Sequence, residues 1–348
     1  MRIRLLLVVV MALWGSAFAC SKLAIREIPH EVAGFLRFFL GAVVLVVALR
    51  MPRIAVRDFG RVAALGLVGV FGYNFLFFLG LAMAPAADGS VIVPMAAPVI
   101  TVAVTAVLTR TRLPLARAVG IAVAVCGGAV FFLGIPSGGG HRLLGDLLFL
   151  AAAACWACYT MLGAPVLARL AAPAVTVYAT AIGALALGVV ALPHLSGVAW
   201  SELGAGFWLN QAYLGVLPTA LAYVLYYRAV GEVGPATAAS AMFLVPAFGL
   251  ACAWVLLGES IAPVQALGAA LMFAGAWLNT RDGKPRAAVV PPIEPDADDL
   301  PPSPSHSRAE RERARRLPAP DRARSAPACA DRQPWIAQVG KKRWQRLR

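Results

Sequence analysis

Trp14, Asn74, Pro98, Trp156, Pro218 and Pro246 each stand near the middle of a long apolar stretch. An amide or indole N–H at such a depth is costly unless it is hydrogen-bonded. A proline inside a helix removes one N–H and displaces the carbonyl four residues earlier. Pro98 therefore disturbs the carbonyl of Pro94, Pro218 that of Leu214, and Pro246 that of Met242. In lipid, a freed carbonyl must face protein or water. The chemistry this set suits is non-covalent recognition of a small molecule, through stacking surfaces, one amide and loosened carbonyls. Each proline also reads as an ordinary kink, and Asn74 as a bond to a neighbouring helix, with Tyr73 pointing elsewhere. Trp156, Tyr159 and Thr160 are spaced i, i+3, i+4 and share a helix face. Tyr223, Tyr226 and Tyr227 form a similar stripe. Depth assigns Tyr223 to the cavity with Trp14 and Trp156, and the other two tyrosines to an interfacial belt. Arg37 is the one charge well inside an apolar stretch. A central arginine costs about 2.5–3.5 kcal/mol on insertion scales. It can snorkel to the nearer surface, meet an anion or carboxylate, or close a gate as an ion pair.

Catalytic groupings are missing. No acidic residue stands at mid-depth: Asp88 and Asp146 lie near helix ends, and Glu27, Glu31, Glu202, Glu232 and Glu259 in connections. His30, His141, His194 and His306 are scattered. Neither a paired carboxylate, a phosphate loop nor a nucleophile with its partners is visible, which excludes the usual enzyme classes. No catalytic residue, cofactor or metal is assigned. Cys155-Trp-Ala-Cys158 has a redox or metal spacing but no further ligands, and reads as two small residues on one helix face. No segment is large enough to house an ATPase, which argues against a primary pump.

The elements that must position these residues follow from where charge is absent. Of 348 residues, 60% are hydrophobic and only 14% charged, against roughly 25% in a soluble domain. Charge-free gaps of the length needed for a helical crossing, about 20 residues, recur along the chain. They predict ten transmembrane helices: Ile3–Ala24, Val32–Leu49, Val62–Ala82, Ala87–Leu108, Ala116–Ile135, Leu147–Leu167, Ala174–Leu192, Phe207–Val230, Ala236–Leu257 and Val264–Leu278. The seventh is expected to end early, at Pro193. The first is expected to stay as a helix rather than act as a cleaved leader. The net charge of +14 does not signal nucleic acid. With the first residue in the cytoplasm and strict alternation, eleven Lys/Arg fall on cytoplasmic sides and only Lys22, Arg26 and Arg142 outside. That asymmetry follows the positive-inside rule and expects both termini in the cytoplasm.

An internal repeat accompanies the count. A shift of about 148 residues places Pro98 on Pro246, Leu108 on Leu256, Gly120 on Gly268 and Gly127 on Gly275; a shift of about 142 places Trp14 on Trp156. Five helices per half is odd, so the halves enter from opposite sides, an inverted repeat of the kind secondary transporters use. The expected fold is an all-α integral membrane protein with two inverted five-helix repeats, 1–137 and 138–281. A Pro/Arg-rich tail, 282–348, composes as disorder. Its Lys341-Lys-Arg-Trp344 suits contact with an anionic cytoplasmic leaflet.

The chain resembles the EamA type of the drug/metabolite transporter superfamily. The resemblance is carried by Ala12-Leu-Trp-Gly-Ser16, Phe35-Leu-Arg-Phe38, Val93-Pro-Met-Ala-Ala-Pro98 and Gly120 through Gly127-Gly128. Phe243-Leu-Val-Pro246, Leu257-Gly-Glu-Ser260 and Gly268 through Gly275 carry it in the second half. It covers roughly Ile3 to Arg281. One departure stands out: Gly258-Glu259 is kept, but Arg110-Thr111 occupies its place in the first repeat. Glu259 is accordingly expected to be an interfacial loop residue. The resemblance implies a secondary transporter in the cell membrane, exporting small metabolites or amino acids by alternating access, with partners limited to a small-molecule substrate and the lipid bilayer. An integral-membrane lipid-modifying enzyme and a non-transporting membrane subunit are the rival readings. The oligomeric state is not fixed by any of this.

Overall fold

The computed structural model describes residues 2–110, 114–134, 140–167, 169–233 and 241–281. The expected C-terminal tail, with its lipid contact, lies outside the described residues, as does the start of the ninth expected helix. The described residues form helices and turns and no strand. The helices are α1 (Arg2–Glu27), α2 (His30–Leu49), α3 (Val56–Leu65), α4 (Tyr73–Met83), α5 (Ala86–Thr109), α6 (Leu115–Leu133), α7 (Gly140–Leu167), α8 (Ala172–Leu195), α9 (Ala205–Leu214), α10 (Ala222–Val233), α11 (Val245–Leu257) and α12 (Pro263–Arg281). A wide π turn, Gly66–Gly72, joins α3 to α4, and another, Gly215–Leu221, joins α9 to α10.

Among the described residues, six helical stretches are long and apolar enough to cross a membrane: Leu5–Glu27, His30–Leu49, Val56–Met83, Ala86–Leu108, Gly140–Leu167 and Ala172–Leu195. Ala118–Leu133, Met242–Leu257 and Pro263–Leu278 are shorter apolar helices. Many helices overrun the charge-free gaps, because terminal charges are absorbed by partners rather than excluded. The clearest case is α7, which starts at Gly140 and carries Arg142 and Asp146 inside the helix. α8 runs to Leu195 with Pro193 inside it, contrary to the expected early end. A proline so near the C-terminus removes one bond and leaves only two residues beyond it to hold. Pro246 is also placed differently from expectation. The chain is a short 3₁₀ turn over Met242–Leu244, and Pro246 occupies the first turn of α11. A first-turn proline lacks an N–H that would have had no helical partner anyway.

Small residues bring the helices together, as membrane packing requires when lipid is as apolar as leucine. The closest approach joins α6 to α12. A Cβ on Gly268 would lie 2.4 Å from the Phe131 nitrogen and 2.7 Å from the Gly127 oxygen. A Cβ on Gly275 would lie 2.4 Å from the Ala124 nitrogen and 2.5 Å from the Gly120 oxygen. The helices therefore cross antiparallel with backbone against backbone. α1 packs on α11, α5 on α7, and α2 on α8. Large side chains such as Leu185, Val189 and Trp254 face outward and remain exposed.

The helix ends repeat too. Gly258 ends α11 in the left-handed region (φ 68°), donating its N–H to the Trp254 oxygen while Glu259 donates to Ala253. Arg110 ends α5 in the same region (φ 50°) without glycine's freedom.

Two outcomes test this packing. Gly268→Leu should lower stability by at least about 2 kcal/mol, since it drives a side chain into backbone, while Gly128→Leu, which meets nothing within 4 Å, should be silent. Arg110→Gly should raise stability by up to about 1 kcal/mol by relieving left-handed strain. Thermal unfolding of the detergent-purified protein reads both.

Candidate functional site

The two π turns loosen backbone at the heart of the bundle, where lipid offers no substitute donors. Each is repaired by a polar side chain. Thr219 Oγ1 donates to the Leu214 oxygen at 2.8 Å, the carbonyl that Pro218 was expected to free. Asn74 Nδ2 donates to the Val70 oxygen at 2.7 Å. The Pro218 carbonyl accepts a third bond, from Trp14 Nε1 at 3.1 Å across 204 residues of sequence.

These repairs stand on the wall of a cavity that is partly open to its surroundings. Trp14, Arg37, Asn74, Trp156, Pro218 and Tyr223 line it. Its aromatic surface is continuous. Trp14 lies 6.5 Å from Trp156, 5.7 Å from Tyr223 and 5.1 Å from Tyr226, and Tyr73 lies 5.3 Å from Trp156, all between ring centroids.

Arg37 does not snorkel. It is 7% exposed; Nε donates to Thr219 Oγ1 at 3.1 Å, Nη1 donates to Ser21 Oγ at 3.2 Å, and its Cζ lies 5.1 Å from the Phe38 ring centre. Among the described residues, no carboxylate pairs with it. Asn74 spends its N–H on Val70, leaving its buried oxygen without a partner. A cation and an acceptor are thus both held at the cavity wall by the backbone repairs themselves.

Three expected residues stand apart from the lining. Tyr159 packs against Trp156 at 5.6 Å and over Gly69. Pro98 lies a turn beyond Pro94, which lines the cavity in its place. Pro246 yields to Val245 and Met242. The sequence reading missed Tyr73, Phe18 and Phe77, which the wall includes. For Tyr73 the missed signal was the π turn before it, which rotates the following helix relative to a regular one.

A second polar group was missed altogether. Asp88 and Asp146, expected near helix ends, are both fully buried. Arg142 grips Asp88 with both arms, Nε to Oδ2 at 2.7 Å and Nη2 to Oδ1 at 2.9 Å. Glu259 is more than a loop residue: its Oε2 accepts from the Ala87 N–H at 2.8 Å, at the start of α5.

Fold and cavity together define a multi-pass helical membrane protein with an aromatic cavity at its centre. The chain belongs to the EamA-like transporter family, whose model matches residues 1–133 and 143–281. It is a transporter and not an enzyme. It is 31% identical to a probable terminal-alkyne amino-acid exporter of Streptantibioticus cattleyicolor, over 82% of this chain and 96% of that one. It is 28% identical to a probable amino-acid metabolite efflux pump of Salmonella typhimurium, over 79% and 93%. A similarly described Escherichia coli protein is 26% identical, over 82% and 96%. A solved crystal structure shares the fold with a TM-score of 0.56 at 23% identity, over 80% of this chain and 96% of that one.

Thr219 carries two partners, Leu214 and Arg37. Thr219→Val should cost about 1–3 kcal/mol by leaving both short of a bond, and Thr219→Ser should restore most of it. Chemical or thermal unfolding in micelles measures the difference.

Proposed function

We propose that the protein exports small amphipathic carboxylates, amino acids or their metabolites, across the cytoplasmic membrane by alternating access. The observation that carries this is Arg37: a buried guanidinium on an aromatic cavity wall with no carboxylate partner among the described residues. Burying a cation is costly unless an anion joins it. Thr219 and Ser21 hold the guanidinium but carry no charge. A substrate carboxylate supplies what is missing, and Arg fits it with two parallel bonds. The free oxygen of Asn74 suits an ammonium, and the faces of Trp14, Tyr73, Trp156 and Tyr223 suit an apolar or cationic body. The printed descriptions of the relatives, amino-acid exporter and amino-acid metabolite efflux pump, support the substrate class and the direction.

Alternating access rests on ten transmembrane helices in two inverted five-helix repeats, 1–137 and 138–281, joined by π turns into continuous rods. The two separate family matches support that division. So do the π turns, which begin at Gly66 and Gly215, 149 residues apart, and the left-handed helix ends at Arg110 and Gly258, 148 apart. The α6–α12 crossing supports a two-fold relation as well. It pairs Gly127 with Gly268 and Gly120 with Gly275, each residue meeting its neighbour's repeat equivalent. The Lys/Arg distribution supports a cytoplasmic start of α1 and end of α12.

Counterflow in proteoliposomes tests the substrate class. Radiolabelled amino acids should exchange, and their decarboxylated amines should not. Trp156→Ala and Asn74→Ala should slow exchange at unchanged membrane insertion, and Arg37→Gln should remove the preference for the carboxylate, by about tenfold or more. Equal exchange of amino acids and amines by the unmodified protein would defeat the proposal.

A further inference from the structure

At one end of the bundle, five charged groups from four elements meet. Lys22 at the end of α1 donates to the oxygens of Ala84, at 2.9 Å, and Leu81. Asp88 in the first turn of α5 is held by Arg142 of α7. Arg142 Nη2 also donates to Gln265 Oε1 of α12 at 3.2 Å. Glu259, between α11 and α12, caps Ala87 and acts electrostatically on both Lys22 and Arg142. Asp146 lies four residues after Arg142, one turn further into the bundle, and its carboxyl meets that of Asp88.

Asp146 is the anomaly. It is 0% exposed, and neither of its oxygens finds a donor. α4, packed on the same face of α7, offers it no charge: Gly80 and Ala84 are pressed against Gly145 there. Lys22 and Arg142 supply two positive charges, and Asp88, Asp146 and Glu259 supply three negative ones. Arg26, the remaining nearby cation, is exposed to solvent. One proton balances the cluster, in which Asp88 and Asp146 are fully buried and Lys22, Arg142 and Glu259 half-buried. A protonated Asp146 is also a donor, and the facing Asp88 carboxylate has acceptor sites to spare beyond those Arg142 occupies.

We infer that Asp146, packed against Asp88, is a proton-binding site whose occupancy holds this end of the bundle closed. With the proton in place, Asp146 donates to Asp88, and Asp88 keeps Arg142. Without it, two carboxylates face one another with a single guanidinium between them. Like charges this close resist joint ionisation, and an unpaired buried charge is strongly destabilising. Asp146 then competes for Arg142, and α5 and α7 lose the tie that binds them. The sign follows from linkage: the closed arrangement binds one proton more than the open one, so it is favoured at low pH and lost as pH rises. By the Lys/Arg distribution this end faces away from the cytoplasm, so outside pH sets the latch.

The sequence supplies no counterpart at the other end. Under the repeat shifts, Asp88 corresponds to Ala236, Glu259 to Thr111, Lys22 to Ala164 and Asp146 to Arg4. The proton acts on one gate only.

The inference rests on the transport reading for its purpose but not for its test. The full-length protein, isotope-labelled at the aspartate carboxyl, is titrated in nanodiscs while infrared absorption and amide hydrogen exchange are recorded. A protonated buried aspartate should appear at low pH and disappear as pH rises, and Asp146→Asn should lack it. Over the same range, exchange across 84–90 and 140–146, corrected for its intrinsic pH dependence, should rise about tenfold or more. In Asp146→Asn, which keeps a donor toward Asp88, it should stay within about twofold. Should that variant fail to fold, the unmodified protein's infrared titration decides alone. Absence of a protonated aspartate throughout, or an unchanged pH slope in Asp146→Asn, overturns the inference. So does protection that follows sodium concentration instead of pH. Amino-acid counterflow, measured in parallel, judges the transport reading separately: no exchange alongside the expected titration removes that reading and leaves the proton site standing.

Discussion

A carbonyl loosened inside lipid must find a donor within the protein, and the centre of this bundle is organised by side chains that donate to three carbonyls at its irregular turns, of which Val70 also keeps the Tyr73 N–H. Leu214 is met by Thr219, Val70 by Asn74, and Pro218 by Trp14. Backbone hydrogen bonds are the one obligation that an apolar solvent never relaxes. Meeting it here fixes side chains that would otherwise be free to rotate. Thr219, turned toward Leu214, also accepts from Arg37, and Asn74, turned toward Val70, keeps its oxygen unspent. The polar groups of the cavity wall are thereby positioned by the irregularities of the helices that carry them. A regular helix would have no loosened carbonyl and no reason to hold these side chains in place.

Much of the architecture was legible because charge is so scarce. Gaps between charges located the apolar helices, and Trp14, Arg37, Asn74, Trp156, Pro218 and Tyr223, picked for depth or chemistry, do line one cavity. What failed was finer than depth. Tyr73 was set aside on regular helical geometry, and the π turn at Gly66–Gly72 altered that geometry. Pro98 and Pro246 stood at the right depth, but the wall is formed by their neighbours Pro94 and Val245. A one-residue difference in helical phase cannot be read from composition or spacing. The burial of Asp88 and Asp146 was invisible for another reason. They stand near helix ends, and only the fold brings Arg142 against Asp88, with Gln265 bonded to Arg142 in turn.

The centre of the bundle and its charged end answer to different forces. The cavity is mostly aromatic, with a single cation, and its interactions are short-ranged and insensitive to ionic conditions. The Asp88–Arg142 cluster is dominated by charges whose balance changes with one proton. A transporter needs the two sides of the membrane to behave differently. In this chain the charges gathered around Asp88 and Arg142 supply such a difference.

The crossing of α6 and α12 has a mechanical meaning. At Gly127, Gly268 and Gly275 main chain lies directly against main chain. Interdigitated side chains resist rotation as cogs do; bare glycine surfaces resist separation far more than they resist turning. Such a contact is a journal bearing. It keeps two rods at a fixed distance while leaving their relative angle comparatively free, and any enlargement at its surface would seize it.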